Sequence, residues 1–435
     1  MRVIRGLRWY VLGLIFLATC INYVDRSSVG LLFTQFGPET GISLAQYGWV
    51  GAILLLAYTL SQSVSGRIFD RFGCRIGFAV SISIWCGAAM AHSLIAGVGS
   101  FALCSFFLGL GEAGNWPGAA KVVAEWFPAQ ERALGMAVFN GGAAMGGVVA
   151  PLLVAAWLSP IVGWRTTFLV VGLAGFFWLA VWLVVYRPIE QHPCLSNVER
   201  DYIGAKSPAA GAPVRVIRLR VLFSERKAWA ILLARFFVDP IWWLYMLWLP
   251  IYLKDVHHLD LRQIGLFQWF PFLAAAVGSL FGGWLSGALV GRGWSLNAAR
   301  KTAMGAAACL MPVGILAAHA HTPLTALGLI SVVLFGFQMW ISNVQTLPGD
   351  CFPASAVGTV AGLGGSAAGL SSLFFNLGTG WMVSSFGYGA VLTAAGVLAP
   401  IGALILFLTI GVIGPVASPG LLHDPTFHPK EKTQS

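Results

Sequence analysis

Asn22-Tyr23-Val24-Asp25-Arg26 places two full charges inside an apolar run that extends over residues 10–34. A charged side chain at the centre of a bilayer costs about 3 kcal/mol on insertion scales. A lipid-facing helix does not carry such groups. The stretch is therefore expected to face a helix-bundle interior or a water-filled cavity. There Arg26 is expected to hold the negative group of an organic anion, and neighbouring carboxylates to carry protons.

Composition fits that setting. The chain has 435 residues, 57% hydrophobic and 10% charged, with a mean hydropathy of +0.79. Soluble domains carry about 25% charged residues, so a polytopic membrane protein embedded in lipid is expected. The net charge of +10 does not imply a nucleic-acid partner, because the basic residues sit at the ends of apolar runs, as orientation signals do. The seven cysteines are scattered without a CxxC pair, which argues against both a disulfide framework and a metal site. His319-x-His321 lacks a third ligand. No phosphate-binding Gly-rich loop or nucleophile elbow stands in a suitable context. No metal, no cofactor and no enzymatic activity are expected.

A helix needs about 20 apolar residues to cross a bilayer. Twelve spans meet this measure: 10–34, 46–67, 76–97, 101–124, 134–158, 165–186, 229–253, 264–290, 302–320, 323–346, 356–383 and 389–412. The first begins like a signal peptide, after Arg2, Arg5 and Arg8. It runs past Cys20 to Phe33, beyond the roughly 7–15 residues of a signal h-region, so an uncleaved span is expected. Lys and Arg concentrate on one side: Arg67, Arg71, Arg75, Lys121, Arg132, Arg187, Arg200, Lys206, Arg215, Arg218, Arg220, Arg226, Lys227, Arg292, Arg300, Lys301, Lys430 and Lys432. The other side has Arg165, Lys254 and Arg262. Both termini are then cytoplasmic, in a multi-pass protein of the cell (inner) membrane. The expected organisation is an N-terminal six-helix bundle over 1–186, a Pro-rich cytoplasmic linker over 187–228 with a surface helix near 196–205, a C-terminal bundle over 229–412 and a tail over 413–435.

A short internal repeat relates the halves. Phe127-Pro128-Ala129 follows the fourth span and Phe352-Pro353-Ala354 the tenth, each leading into a glycine-rich helix. Equivalent positions in two halves fit a parallel-repeat transporter; small residues that let helices pack closely are the plainer explanation. Between the second and third spans, Gly66-Arg67-Ile68-Phe69-Asp70-Arg71-Phe72-Gly73-Cys74-Arg75 fits G-x-x-x-D-[RK]-x-G-x-[RK]. That pattern resembles the loop signature of the major facilitator superfamily. Asp70 can cap the third span or pair with a neighbouring Arg such as Arg71. The matching loop of the second half, Gly283 to Lys301, has Gly287 where an acid would stand.

Further motifs narrow the resemblance. Arg8-Trp9-Tyr10, Asn22-Tyr23-x-Asp25-Arg26, Gly111-Glu112-Ala113-Gly114-Asn115-Trp116-Pro117 and Glu125-Trp126-Phe127-Pro128-x-x-Glu131-Arg132 resemble the anion:cation symporter family, especially its hexuronate and other sugar-acid/proton symporters. Arg235-Phe236-x-x-Asp239-Pro240 and Trp248-x-Pro250 resemble the seventh span of the hexuronate branch. The resemblance implies an all-α fold of twelve transmembrane helices in two six-helix bundles. It also implies that Arg26 contacts the substrate carboxylate while Asp25 and Glu112 take protons. Relatives often carry an Arg seven residues before this Glu; here Ser105 stands there. The fifth span has Ala150-Pro151 rather than the Gly-Pro typical of drug/proton antiporters.

Spacing assigns the remaining candidates. Asn22, Asp25 and Arg26 fall at i, i+3 and i+4, and an Arg fork suits a carboxylate. Glu112 is expected as a lone intramembrane carboxyl with Asn115 and Trp116 on its face. Tyr23, Tyr47, Tyr58 and Trp116 can stack on a sugar ring or simply pack. Asn140, Gln338, Trp340, Ser366 and Asn376 are further substrate-side candidates, although polar residues also glue helices together. Arg235 and Asp239, at i, i+4, form a gate element or a self-neutral pair. With Arg26 positive and both acids able to ionise, the simplest scheme moves one proton per monoanion.

The sequence therefore leads to a monomeric proton-coupled importer of a small organic anion, a hexuronate or related sugar acid. Uptake of an aromatic or dicarboxylic acid is the alternative within the same fold, and a non-transporting membrane sensor the alternative outside it.

Overall fold

The computed structural model describes residues 4–203, 217, 219–259, 267 and 269–416. Lys206, Arg215, Arg218, Arg262, Lys430, Lys432, the middle of the polar 187–228 stretch and the tail beyond 416 lie outside the described residues. Among the described residues nine helices are long and apolar enough to cross a membrane. The difference from twelve lies in how the breaks fall. Gly73, at φ 76°, divides the helix Leu44–Ala91 into the second and third spans. The fourth span is interrupted at Ala113–Gly114, between Val98–Glu112 and Asn115–Trp126. The ninth is interrupted by a 3-10 turn at Met311–Val313, between Leu296–Leu310 and Gly314–Ala317. With these three, the fold has its twelve spans.

The tight turns repeat in both halves. Gly73 and Gly293 have φ of 76° and 89° after the second and eighth spans; Gly163 and Gly387 both have φ 76°, before the sixth and twelfth. A side chain at such a φ is strained, so glycine is what lets consecutive spans meet there. The fifth span, Arg132–Ala150, continues as a π-helix over Pro151–Leu158. Pro151 has no N–H to give to the preceding turn, which favours the wider spacing.

The chain clusters into two units. One comprises 1–128, 138–216 and 354–366; the other comprises 129–137, 217–353 and 367–435. The starts of the fifth and eleventh spans are thus grouped apart from the rest of those spans.

In the first unit the polar 187–228 stretch contributes the short helix Asn197–Ile203. Its Glu199 accepts from the backbone N–H of Leu7 (3.1 Å) and Arg8 (3.3 Å) and pairs with the Arg8 guanidinium at 3.0 Å. A carboxylate there satisfies the open N–H groups at the start of the first span. The start of the eleventh span lies against the second. A Cβ on Gly66 would fall 2.0 Å from the Gly358 carbonyl oxygen, so only glycine allows that approach. Asp70 accepts from the N–H groups of Gly358 (2.9 Å) and Thr359 (2.6 Å), and pairs with buried Lys121 at 3.0 Å. Asp70 therefore neither caps the third span nor pairs with Arg71. Neighbouring side chains on a helix point about 100° apart, and Arg71 is exposed against the Phe72 ring. Lys121 also donates to the carbonyl of Ala354 and lies 3.6 Å from Glu125.

The second unit repeats the device with other residues. A Cβ on Gly283 would fall 2.7 Å from the Ala133 carbonyl oxygen. Arg300 is fully buried and donates to Asp350 (3.0 Å), to Ser286 (2.7 Å) and to the carbonyl of Ala129 (2.8 Å). Arg132 pairs with the other Asp350 oxygen at 2.9 Å. In both units a buried cation thus holds an acid and the alanine carbonyl of one Phe-Pro-Ala repeat. Asp350, at the end of the tenth span, takes the place that Gly287 leaves vacant.

Removing one partner of a buried ion pair leaves an uncompensated charge, at a cost of about 3–5 kcal/mol. Asp350→Leu, which leaves fully buried Arg300 without its acid, is expected to lower the thermal unfolding midpoint of detergent-solubilised protein sharply. Arg300→Met with Asp350→Leu is expected to unfold at a higher temperature than Asp350→Leu alone.

Candidate functional site

The site is built on the first span, Leu7–Thr40, where it meets the break in the fourth. Arg26 donates through Nε to Oε2 of Glu112 at 2.8 Å, and its Nη2 lies 2.7 Å from the same oxygen as an ion pair. Its side chain is 21% exposed and that of Glu112 is 0%. The guanidinium also lies over the rings of Tyr58 (4.7 Å) and Tyr23 (5.6 Å), a cation–π arrangement that steadies a partly desolvated Arg. Glu112 is therefore not the lone carboxyl the sequence implied. It is the partner of Arg26, reached across the helix interface because Asp25 and Arg26, as neighbours, point to different sides.

Asp25 is buried, and neither of its carboxylate oxygens has a hydrogen-bond partner. Asn22 is buried without a partner for Oδ1 or Nδ2. The i, i+3, i+4 set is thus split. Asn22 and Asp25 point into the first unit's interior, while Arg26 keeps partial access to solvent. Asn115, at the start of the second segment of the fourth span, donates to Thr19 Oγ1 at 3.1 Å. Trp116 packs against Tyr23 (6.1 Å) and Phe139 (5.6 Å). Tyr47 belongs to an aromatic cluster with Phe33 (4.3 Å) and Phe101 (6.0 Å), away from Arg26's contacts. Asn140 is half-buried on the fifth span.

Ser105, where relatives often carry an Arg, is buried with its hydroxyl 3.4 Å from Nε2 of His92. His92 is also buried, its Nδ1 2.7 Å from the carbonyl of Ala88. A small neutral residue thus faces an imidazole where a cation would lie.

Ser366, at the start of the eleventh span, bonds to Ser63 Oγ (2.7 Å) and donates to the Thr59 carbonyl (2.6 Å). Both bonds are within the first unit, so its hydroxyl is engaged in holding helices together. In the second unit Arg235 donates to Asp239 with contacts of 3.1 and 2.6 Å. Asn376 accepts from Trp248 Nε1 (3.1 Å) and donates to the Ser372 carbonyl (2.8 Å). Gln338 Oε1 and Trp340 Nε1 are buried without partners, and Trp340 is fully enclosed. The sequence did not single out Trp85, whose unpartnered indole N–H lies in the same interior as Asp25. The only available signal was a polar-tipped aromatic in the middle of the third span.

Residues 15–376 match the profile of the Major Facilitator Superfamily. The chain is 31% identical to the hexuronate transporter of Escherichia coli over 411 residues, covering 94% of this chain and 95% of that protein. It is 32% identical to the galacturonate transporter of Dickeya chrysanthemi, covering 65% and 82%, and 29% identical to a D-galactonate transporter of Escherichia coli, covering 93% and 96%. Among solved structures, a proton:xylose symporter with bound 6-bromo-6-deoxy-D-glucose superposes with a TM-score of 0.72 at 15% identity, covering 94% of this chain and 97% of that one. A human organic anion transporter gives 0.67 at 15% identity, covering 92% and 99%. Twelve spans in a repeated arrangement, the Gly66 to Arg75 loop and these matches together make the chain a transporter that belongs to the Major Facilitator Superfamily.

Proposed function

We propose that the protein imports a hexuronate or related sugar acid together with protons, by alternating access across the cell (inner) membrane, with both termini cytoplasmic. The observation that carries this reading is the unequal burial of the Arg26–Glu112 pair. The Arg26 side chain keeps partial exposure; the carboxylate that neutralises it has none. The hexuronate, galacturonate and galactonate transporters among its relatives support a sugar acid as the anion.

The chemistry follows from that inequality. A substrate carboxylate that takes the donors of Arg26 displaces Glu112 Oε2. Glu112 is then an unpaired carboxylate out of water, a state that costs several kcal/mol. A proton on Glu112 removes that charge, and with Asp25 also protonated the loaded site of guanidinium, substrate anion and two neutral acids is neutral. Loss of substrate returns Glu112 to Arg26 and releases the proton. Binding of anion and proton are thereby linked, and a neutral loaded site can be occluded in low dielectric without a charge penalty. Asp25, one residue from Arg26 and acting on the same interior, is the second proton carrier. Asn22, Tyr23, Asn115, Trp116 and Asn140 supply the polar and aromatic surroundings. Arg235–Asp239 and Asp70 with its partners are gate or helix-joining elements.

Two experiments test this reading. Hydrogen bonds to charged groups contribute about 1.5–3 kcal/mol. Arg26→Lys, which loses the planar fork, is therefore expected to weaken sugar-acid binding roughly tenfold to hundredfold, measured by substrate-induced thermal shift across a panel of sugar and aromatic acids. An unchanged panel response would remove Arg26 from the site. Glu112→Gln is expected to keep counterflow of labelled substrate in proteoliposomes while losing accumulation driven by an inward proton gradient. Gradient-driven accumulation at the parent level would remove Glu112 from proton coupling.

A further inference from the structure

The mechanism above leaves one polar group of the same interior unused, the indole N–H of Trp85 on the third span. Trp85 is fully buried, and its position is set by glycines on the fourth span. A Cβ on Gly111, the residue before Glu112, would fall 2.5 Å from Trp85 N and 2.8 Å from Trp85 Cβ. A Cβ on Gly114 would overlap Ser81 Oγ, one turn before Trp85. The two glycines that bracket Glu112 thus let the third and fourth spans meet backbone to backbone. The contact fixes the root of Trp85 beside the break in the fourth span. The next residue, Cys86, is pressed by the sixth span, where a Cβ on Gly175 would overlap its Sγ. With both flanks of the third span packed this closely, the indole has few rotamers open to it.

The indole N–H is directed to the Asp25 carboxylate. It does not close a full hydrogen bond on it, and Nε1 and both Asp25 oxygens are buried without another partner. Unsatisfied buried polar groups are costly, and folded proteins keep few of them. A donor and an acceptor left open toward each other are therefore a contact that one state of the protein completes. An indole N–H donates and never accepts, so it favours the ionised carboxylate over the protonated one. It does so without a charge of its own. A guanidinium in that place would hold the acid ionised; a neutral donor leaves both forms within reach. Asn22, one turn before Asp25, has a buried Nδ2 without a partner and is a second neutral donor. The titratable groups facing Asp25 are Glu112 on the fourth span and Cys86 on the third. Arg26, next to it on the first span, is engaged with Glu112 and lies over Tyr58 of the second.

We propose that Trp85 is a positioning residue for the proton on Asp25: its indole N–H receives the carboxylate when the proton leaves and yields it when the proton returns. In that step the O–H bond of the neutral acid breaks, its electron pair stays on the carboxylate, and the proton passes to water. Trp85 keeps its own hydrogen throughout. The inference rests on the proton-coupled reading of Asp25 and adds the group that sets the pH at which this proton is exchanged.

The test uses the full-length protein purified in detergent and reads the thermal shift that galacturonate produces across a pH series. In the parent the shift is expected to shrink as pH rises, because the loaded site is neutral only while both acids hold their protons. Trp85→Phe keeps a ring and removes the donor. Ionised Asp25 is then less favoured, so its proton is held to higher pH. The pH at which half the shift is lost is expected to move up by roughly one to two units. Replacing Trp85 by benzothienylalanine, which has the shape of the indole without its N–H, is expected to give the same move. A galacturonate response at acid pH shows that each variant is folded. Trp85→Phe combined with Asp25→Asn is expected to leave the half-loss pH where Asp25→Asn alone puts it, because Trp85 then has no titrating partner. A parent-like half-loss pH in both Trp85 variants, or a move that persists in the Asp25→Asn background, would overturn the inference and leave the proton-coupled reading standing. A galacturonate shift that does not change with pH in the parent would overturn the proton-coupled reading, and this inference with it.

Discussion

A guanidinium and a carboxylate removed from water cannot be indifferent to each other. Arg26 Nε donates to Glu112 Oε2 at 2.8 Å, and Nη2 lies 2.7 Å from the same oxygen. Each is the reason the other can remain charged at that depth. The geometry spends only half of the carboxylate. Oε1 faces the same interior as Asp25, Asn22 and Asn115 without a partner. The pair thus joins the half-buried Arg26, under the rings of Tyr23 and Tyr58, to the buried polar groups Asp25, Asn22 and Asn115.

The same economy of charge governs the helix ends. Lys121 and Arg300 are buried cations, each with an acid partner and each donating to a backbone carbonyl of a Phe-Pro-Ala repeat. A carbonyl at the start of a helix has a free lone pair, and the Pro before each alanine keeps the chain extended there. The pairing is chemically equivalent in the two units and built from non-equivalent residues. Asp70 comes from the loop after the second span, Asp350 from the end of the tenth. The loss of the loop acid at Gly287 is therefore offset by an acid supplied from elsewhere.

Much of this was legible in the sequence, and the part that was not has a physical cause. Hydropathy and the basic-residue bias located the spans, because crossing a bilayer is a local demand on about 20 residues. The left-handed glycines that break Leu44–Ala91 and the Ala113–Gly114 interruption affect where helices end, not how apolar they are, so they left little trace in hydropathy. Asp25, Arg26 and Glu112 were conspicuous because charge in an apolar run is rare. Which acid serves Arg26 was not legible, since that depends on the rotation of the first span against the fourth. Lys121, Arg132 and Arg300 were counted as orientation signals. Their positions at span ends fit that role equally well, and only burial distinguishes a cation that faces water from one that holds an aspartate.

Ser105 illustrates the limit from the other direction. A missing cation is visible in the sequence only against relatives, and its consequence is visible only in space. Ser105 turns to His92; on the first span, Asp25 keeps both oxygens unpaired. An interior acid with a permanent Arg partner would be structurally satisfied and chemically silent. An interior acid without one must be neutralised by something that can come and go. Leaving Asp25 unpaired is thus what suits it to the second proton of the proposed mechanism.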